Sequence, residues 1–123
     1  MPSPGKAILG LIKKDCSSSL PLVAEDLGLI TSKVEKLRDD FKLPGMKILQ
    51  FAFDGNLDNP YLPENIQDEN CIVYTGTHDN STSLGWWREM DQERKEQIRE
   101  RFFDYKNFSS WQLIRIGMET KAK

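Results

Sequence analysis

Three short runs, Leu20 to Ala24, Met46 to Phe53 and Cys71 to Thr75, are apolar nearly throughout, and they restrict this chain more than any other feature. Runs without polar alternation suit strands buried on both faces, as parallel sheets require. Helical patterns separate them. Ser3 then Pro4 reads as an N-cap with proline at the first helical position, and Ala7, Ile8, Leu11 and Ile12 recur at helical spacing, predicting a helix over 4–15. Thr31 and Ser32 open a second helix, with Glu35 placed to complete a capping box from Ser32 and Pro44-Gly45 closing it. Val34, Leu37 and Phe41 share one of its faces. Helical signal returns from Leu84 to Met90 and from Gln92 to Phe103, and a last amphipathic stretch carries Trp111, Ile114 and Met118. The alternation of elements points to an α/β fold with a parallel sheet.

Between the second and third runs, residues 54–70 are rich in Asp, Asn and Pro but also hold Leu57, Tyr61 and Ile66. Those apolar residues predict an ordered loop. The chain has no internal repeat and no low-complexity segment.

Charge narrows the function classes. Among 123 residues, 17 Lys and Arg stand against 19 Asp and Glu, a formal net charge of −2. Basic residues alternate with acids, as in Asp91-Gln92-Glu93-Arg94-Lys95-Glu96, so no basic stripe is offered to nucleic acid or an anionic membrane. No run approaches the roughly 18 apolar residues that span a bilayer. Cys16 and Cys71 lie far apart without metal-ligand spacing, and no secretory signal precedes them. Two reduced thiols and a cytoplasmic location are the expectation. His78 is the single histidine, which argues against a metal centre. Gly76-Thr77-His78 lacks the spacing and the lysine of a phosphate loop.

Two of the runs end in acids or polar groups: Glu25-Asp26 after the first, His78-Asp79-Asn80 after the third. In a (β/α)8 barrel the active site forms at that end of the strands. An open doubly wound sheet also binds ligands at its carboxyl edge, so both architectures fit. Carboxylates converging on an apolar pocket suit glycoside chemistry, which uses one protonated carboxyl and one ionised carboxylate. Glu25 and Asp79 are the candidates, with Asp26 beside the first. An acidic pair after a strand is more often a solvated loop charge, and paired tryptophans such as Trp86-Trp87 more often pack a core.

Several segments resemble the 4-α-glucanotransferases (amylomaltase, disproportionating enzyme; glycoside hydrolase family 77). They are Ala24-Glu25-Asp26-Leu27-Gly28-Leu29-Ile30-Thr31, the stretch from Leu43 to Phe53, and Val73-Tyr74-Thr75-Gly76-Thr77-His78-Asp79-Asn80 with Leu84-Gly85-Trp86-Trp87 behind it. Asp58-Asn59-Pro60-Tyr61-Leu62-Pro63 fits the connecting loop; Ser3-Pro4-Gly5-Lys6 and Trp111-Gln112-Leu113-Ile114-Arg115 fit the flanks. The likeness covers nearly the whole chain in order. It implies a partial TIM (β/α)8 barrel, about strands five to seven of a C-terminal-half fragment, with residues 1–123 belonging to a single catalytic barrel.

By that resemblance Glu25 is the general acid/base at the end of the fifth strand. Asp79 is the third carboxylate, at the end of the seventh, and binds the distorted sugar. His78 contacts sugar hydroxyls; Asp26 and Phe51 lie near sugar subsites, and Asp54 faces the acceptor side. The implied substrates are α-1,4-glucans and maltooligosaccharides, with no cofactor and no metal. An apolar wall is expected to raise the pKa of Glu25, with Trp86, Trp87 and Phe51 as candidate aromatic surface.

Three departures stand out. A retaining mechanism uses a nucleophilic carboxylate about 5 Å from the acid/base. In the family it is an aspartate on the fourth strand, which has no match here. Strands one to four and eight are also without counterparts, so the chain alone is expected to be marginally folded and inactive. Ser81 stands where the family commonly has an acid. Two other functions fit the same residues: an α-glucan hydrolase of the same superfamily, and a non-catalytic glucan-binding short protein.

Overall fold

The structure, a computed structural model, describes residues 4–16, 19–103 and 108–123. Its elements run α1 (Gly5–Asp15), α2 (Ser32–Asp40), β1 (Gly45–Ile48), β2 (Cys71–Tyr74), α3 (Ser83–Glu89), α4 (Gln92–Phe102) and α5 (Ser110–Met118). The chain divides into two compact units: residues 1–46 with 70–72, and residues 47–69 with 73–123. Strands β1 and β2 form a two-stranded sheet. Gly45 N–H donates to the Asn70 carbonyl and Gln50 N–H to the Thr75 carbonyl, and this constant register makes the pair parallel.

In the first unit, α1 begins where Ala7 and Ile8 N–H groups donate to the Pro4 carbonyl. Pro4 is therefore the N-cap residue, not the first helical residue; Ser3 lies outside the described residues. Helix α2 starts with Thr31 as N-cap, and neither Thr31 nor the capping box expected from Ser32 supplies a side-chain cap. It ends ahead of the expected Pro44-Gly45 stop. Lys42 takes a left-handed φ of 54°, and Lys42 and Leu43 N–H groups return to the carbonyls of Asp39 and Arg38.

Leu20–Ala24 is extended but is no strand, contrary to expectation. Pro21 has no N–H to give. Ala24 N–H donates to the Pro44 carbonyl at 2.8 Å, while Leu22 and Val23 remain exposed, so the segment is not buried on both faces.

The long run Met46 to Phe53, of which all but Met46 belongs to the second unit, also divides. After β1, Leu49–Phe51 forms a 3₁₀ turn, closed by Ala52 N–H on the Leu49 carbonyl. Leu49, Ala52 and Phe53 are buried at spacings of three and four residues. A mainly apolar run fits a helical turn and a strand equally well, so its composition does not mark this boundary.

Those three side chains join Leu62, Trp87 from α3, Ile98 from α4, and Leu113 and Ile116 from α5 in the core. Trp87 stacks on Phe108 with ring centroids 4.5 Å apart, and Trp86 packs half-buried against Phe53. Both tryptophans thus serve packing. On α5 the buried side is Leu113 and Ile116, whereas Trp111, Ile114 and Met118 of the expected stripe are exposed. Caps match the sequence well here: Thr82 accepts from Gly85 N–H, Asp91 from Arg94 N–H, and Ser109 forms a capping box with Gln112.

The Asp/Asn/Pro loop is ordered, as its apolar content predicts. Asn59 is buried; its amide donates to the Phe51 carbonyl and its oxygen accepts from Tyr61 N–H, both at 2.8 Å. Asn65 donates to the carbonyls of Leu57 and Asn59. Changing Asn59 to Ala removes both Asn59 bonds in a buried place and should lower the local opening free energy by about 2 kcal/mol. Amide exchange across residues 57–66 should then quicken by roughly thirty-fold, since about 1.4 kcal/mol is tenfold. Unchanged exchange rates there would remove the loop's dependence on Asn59.

Candidate functional site

The carboxyl end of β2 leads directly into a polar turn, whereas β1 first passes through the Leu49–Phe51 turn, with Leu49 buried, before reaching Asp54. After β2, residues 77–80 fold on themselves: Thr77 N–H and its hydroxyl both donate to Asn80 Oδ1 at 2.8 Å. Asn80 N–H returns to the Thr77 carbonyl, and Asp79 N–H donates to Thr77 Oγ1. Threonine and asparagine are suited to such turns because their side chains bond to nearby backbone. The result is a turn whose two middle side chains point outward. His78 Nε2 stands 3.2 Å from Asp79 Oδ1, with 87% and 79% of the two side chains exposed.

An open hollow of about 350 Å³ lies beside this turn, lined among others by Gln50, Gly76, Thr77, His78, Asn80 and Ser81. Gln50 donates from Nε2 to the Ser81 carbonyl at 3.0 Å. At Ser81, where an acid was expected, a carboxylate is nonetheless present: Ser81 Oγ lies 3.3 Å from Glu89 Oε2 of α3.

Phe51 and Asp54 follow the carboxyl end of β1. Phe51 is exposed and meets the ring of Tyr61 edge-on, with centroids 5.6 Å apart. Asp54 accepts from Asn56 N–H at 2.9 Å across Gly55, whose φ of 91° is open to glycine at little cost. That backbone bond, and then the Asn59 amide, hold the Asp54 carboxyl below its ordinary range. Phe51, Asp54, His78 and Asp79 all belong to the second unit.

Glu25 and Asp26 belong to the first unit. Glu25 follows Ala24 and is exposed, so the described residues of this unit do not form the apolar wall expected around it. Asp26 has a different setting. Its side chain is 9% exposed, accepts from the Arg38 guanidinium and takes Met46 N–H at 2.7 Å. Arg38 is held above its ordinary pKa first by its bond to Asp39, with Asp26 adding to this against the effect of burial. A side chain at Gly45 could not fit, because its Cβ would lie 2.4 Å from Asp26 Oδ2. Asp26 thus ties the segment after Ala24 to α2 and to the start of β1.

Among the described residues no group of three or more His, Cys, Asp or Glu is placed to hold a metal ion. No described helix is long and apolar enough to cross a membrane. Sequence reasoning passed over Gln50, Thr77 and Asn80, which shape the site without displaying an obvious chemical group. The available signal was Gln50 itself, a polar residue inside an apolar run.

Comparison with known proteins identifies the family. A family profile described as 4-alpha-glucanotransferase matches residues 1–123. The 4-alpha-glucanotransferase of Synechocystis sp. is 45% identical over 98% of this chain and 24% of its own length. That of Thermus thermophilus is 41% identical over 98% of the chain and 25% of its own length. The chloroplastic/amyloplastic 4-alpha-glucanotransferase of Arabidopsis thaliana is 41% identical over 98% and 21% respectively. A solved amylomaltase from Streptococcus agalactiae, in complex with acarbose, superposes with a TM-score of 0.88 at 32% identity, covering 99% of this chain and 25% of that one. The chain spans about a quarter of the length of these relatives. With a whole-chain profile match and relatives above 40% identity, this chain belongs to the 4-alpha-glucanotransferase family, glycoside hydrolase family 77.

Proposed function

We propose that the complete protein carrying this chain is a 4-α-glucanotransferase that moves a segment of an α-1,4-glucan to an acceptor sugar by retaining double displacement. Residues 1–123 are, in this reading, the strand-five-to-seven part of a single (β/α)8 barrel. The observation that carries it is the outward display of Asp79 and His78 at the carboxyl end of a parallel strand, in a chain 45% identical to a named transferase.

Glu25 protonates the glycosidic oxygen as the donor bond breaks, then takes the proton of the incoming acceptor hydroxyl. Asp79 stabilises the positive charge that develops at the anomeric carbon, and His78 holds hydroxyls of the same sugar. Phe51 offers an aromatic face, Asp54 lies toward the acceptor, and Asp26 stands near the sugar subsites. Side chains from the rest of the barrel supply the apolar cover expected around Glu25. No residue of this chain is assigned as nucleophile, so the chain alone is inactive. The partners are α-1,4-glucans and maltooligosaccharides, without cofactor, metal, nucleic acid or membrane. The proposed compartment is the cytoplasm, where the Cys16 thiol stays free; the Arabidopsis relative, by contrast, is named for the plastid.

Incubating the complete protein with maltotriose tests this reading. Longer oligomers are the expected product. Glucose and maltose alone would mean hydrolysis, and no turnover would remove the assignment.

A further inference from the structure

Resting on the functional reading above, we infer that Gln50 is a positioning residue, whose side-chain amide fixes the turn that presents His78 and Asp79. Gln50 reaches this turn in two ways. Its backbone N–H donates to the Thr75 carbonyl at 3.2 Å, which sets the chain just before the turn. Its side-chain Nε2 donates to the Ser81 carbonyl at 3.0 Å, just after the turn. One residue therefore bonds to both sides of residues 76–80.

Gly76 supplies an independent observation. A Cβ there would lie 2.7 Å from Gln50 Nε2 and 2.9 Å from Gln50 Cδ. The amide fills the space beside Gly76, so the two residues are matched. Inside the clamp, Asn80 and Thr77 hold each other, while His78 and Asp79 are largely in solvent and meet each other at 3.2 Å. Exposed side chains of this kind are not held by packing. Their position comes from the backbone beneath them, and Gln50 holds that backbone.

The chemistry makes such a hold useful. Asp79 must meet charge that appears only in the transition state, and displacement by about 1 Å can reduce rate a hundredfold. An error in its position therefore lowers kcat more than it raises KM. The bond requires a donor at Gln50, because its partner is a carbonyl oxygen. A carboxylate of the same shape cannot replace it at neutral pH.

Three variants of the complete protein separate this role from packing: Gln50→Leu, Gln50→Glu and Gly76→Ala. The last keeps Gln50 but pushes its flexible amide away from Ser81, at small cost to the fold. Each should lower kcat for maltotriose disproportionation by roughly 10–100-fold, with KM changed by less than about threefold. The double variant Q50L/G76A should be no slower than the slower single, since both break one contact. Amide exchange at Thr77, Asp79 and Asn80 should quicken in every variant, with the melting midpoint held within about 2 °C.

Unchanged exchange at those amides, unchanged kcat, or losses that add in the double variant would each overturn the inference. A fall in kcat that merely tracks a lower melting midpoint would do the same. If the unaltered protein leaves maltotriose untouched, the transferase reading fails, and the exchange measurement still decides whether Gln50 holds the turn.

Discussion

With Glu25 changed to Gln, the complete protein should disproportionate maltotriose about 10²–10⁴-fold more slowly, the usual reach of a positioned general acid. The amide keeps the size of the side chain but cannot deliver a proton to the leaving glycosidic oxygen. A maltosyl fluoride donor provides the contrast, because fluoride departs without one. With azide as acceptor, which has no proton to be removed, its consumption should fall far less than that of maltotriose. Equal losses on both donors would assign Glu25 to binding, and no loss on either would remove it from the mechanism. Within this chain Glu25 is exposed, so its replacement should leave the unit that carries it almost unaltered in stability.

Asp26, its neighbour, should behave in the opposite way. Replacement by Ala takes from Arg38 the nearly covered one of its two carboxylate partners, leaving Asp39 bonded at 2.8 Å, and it also removes the acceptor for Met46 N–H. The loss should cost about 2 kcal/mol, less than breaking a fully buried pair, because Asp39 still holds Arg38 and 21% of the Arg38 side chain is exposed. Gly45→Ala should also destabilise, by forcing a methyl group against the same carboxylate. Combining the two should lose less than their sum. Stability and the KM for maltooligosaccharides, measured on the same Asp26→Ala preparation, decide its role. Lost stability with KM unchanged makes Asp26 part of the frame, while a raised KM with stability intact makes it a subsite residue.

These paired outcomes reflect what the sequence can and cannot display. Helices α3, α4 and α5 were legible from their helical signal alone, and the structure adds the caps at Thr82, Asp91 and Ser109. Such signals are local, and the structure uses them locally. The strand expected at Leu20–Ala24 failed because apolar content reports a tendency to be buried, whereas a strand also needs a ladder of N–H donors, which Pro21 interrupts. The stripe on α5 was misjudged for a related reason. Trp111, Ile114 and Met118 are apolar, and so are Leu113 and Ile116; only packing selects the second pair. For the site, acids at the ends of apolar runs were visible as candidates. That Asp26 is tied to Arg38, twelve residues away, and that Gln50 reaches Ser81 across thirty-one, are facts of tertiary structure.

The loop between β1 and β2 has a kinetic consequence. Every Asx and Asn65 bond described in it joins residues no more than eight positions apart. Short separations mean little loop-closure entropy has to be overcome before a contact forms. The segment from Phe51 to Asn65 can therefore acquire its native shape early, before the two strands on either side of it have found each other. A preformed connector shortens the effective distance between those strands, so β1 and β2 begin their search for register as if joined by a much tighter link.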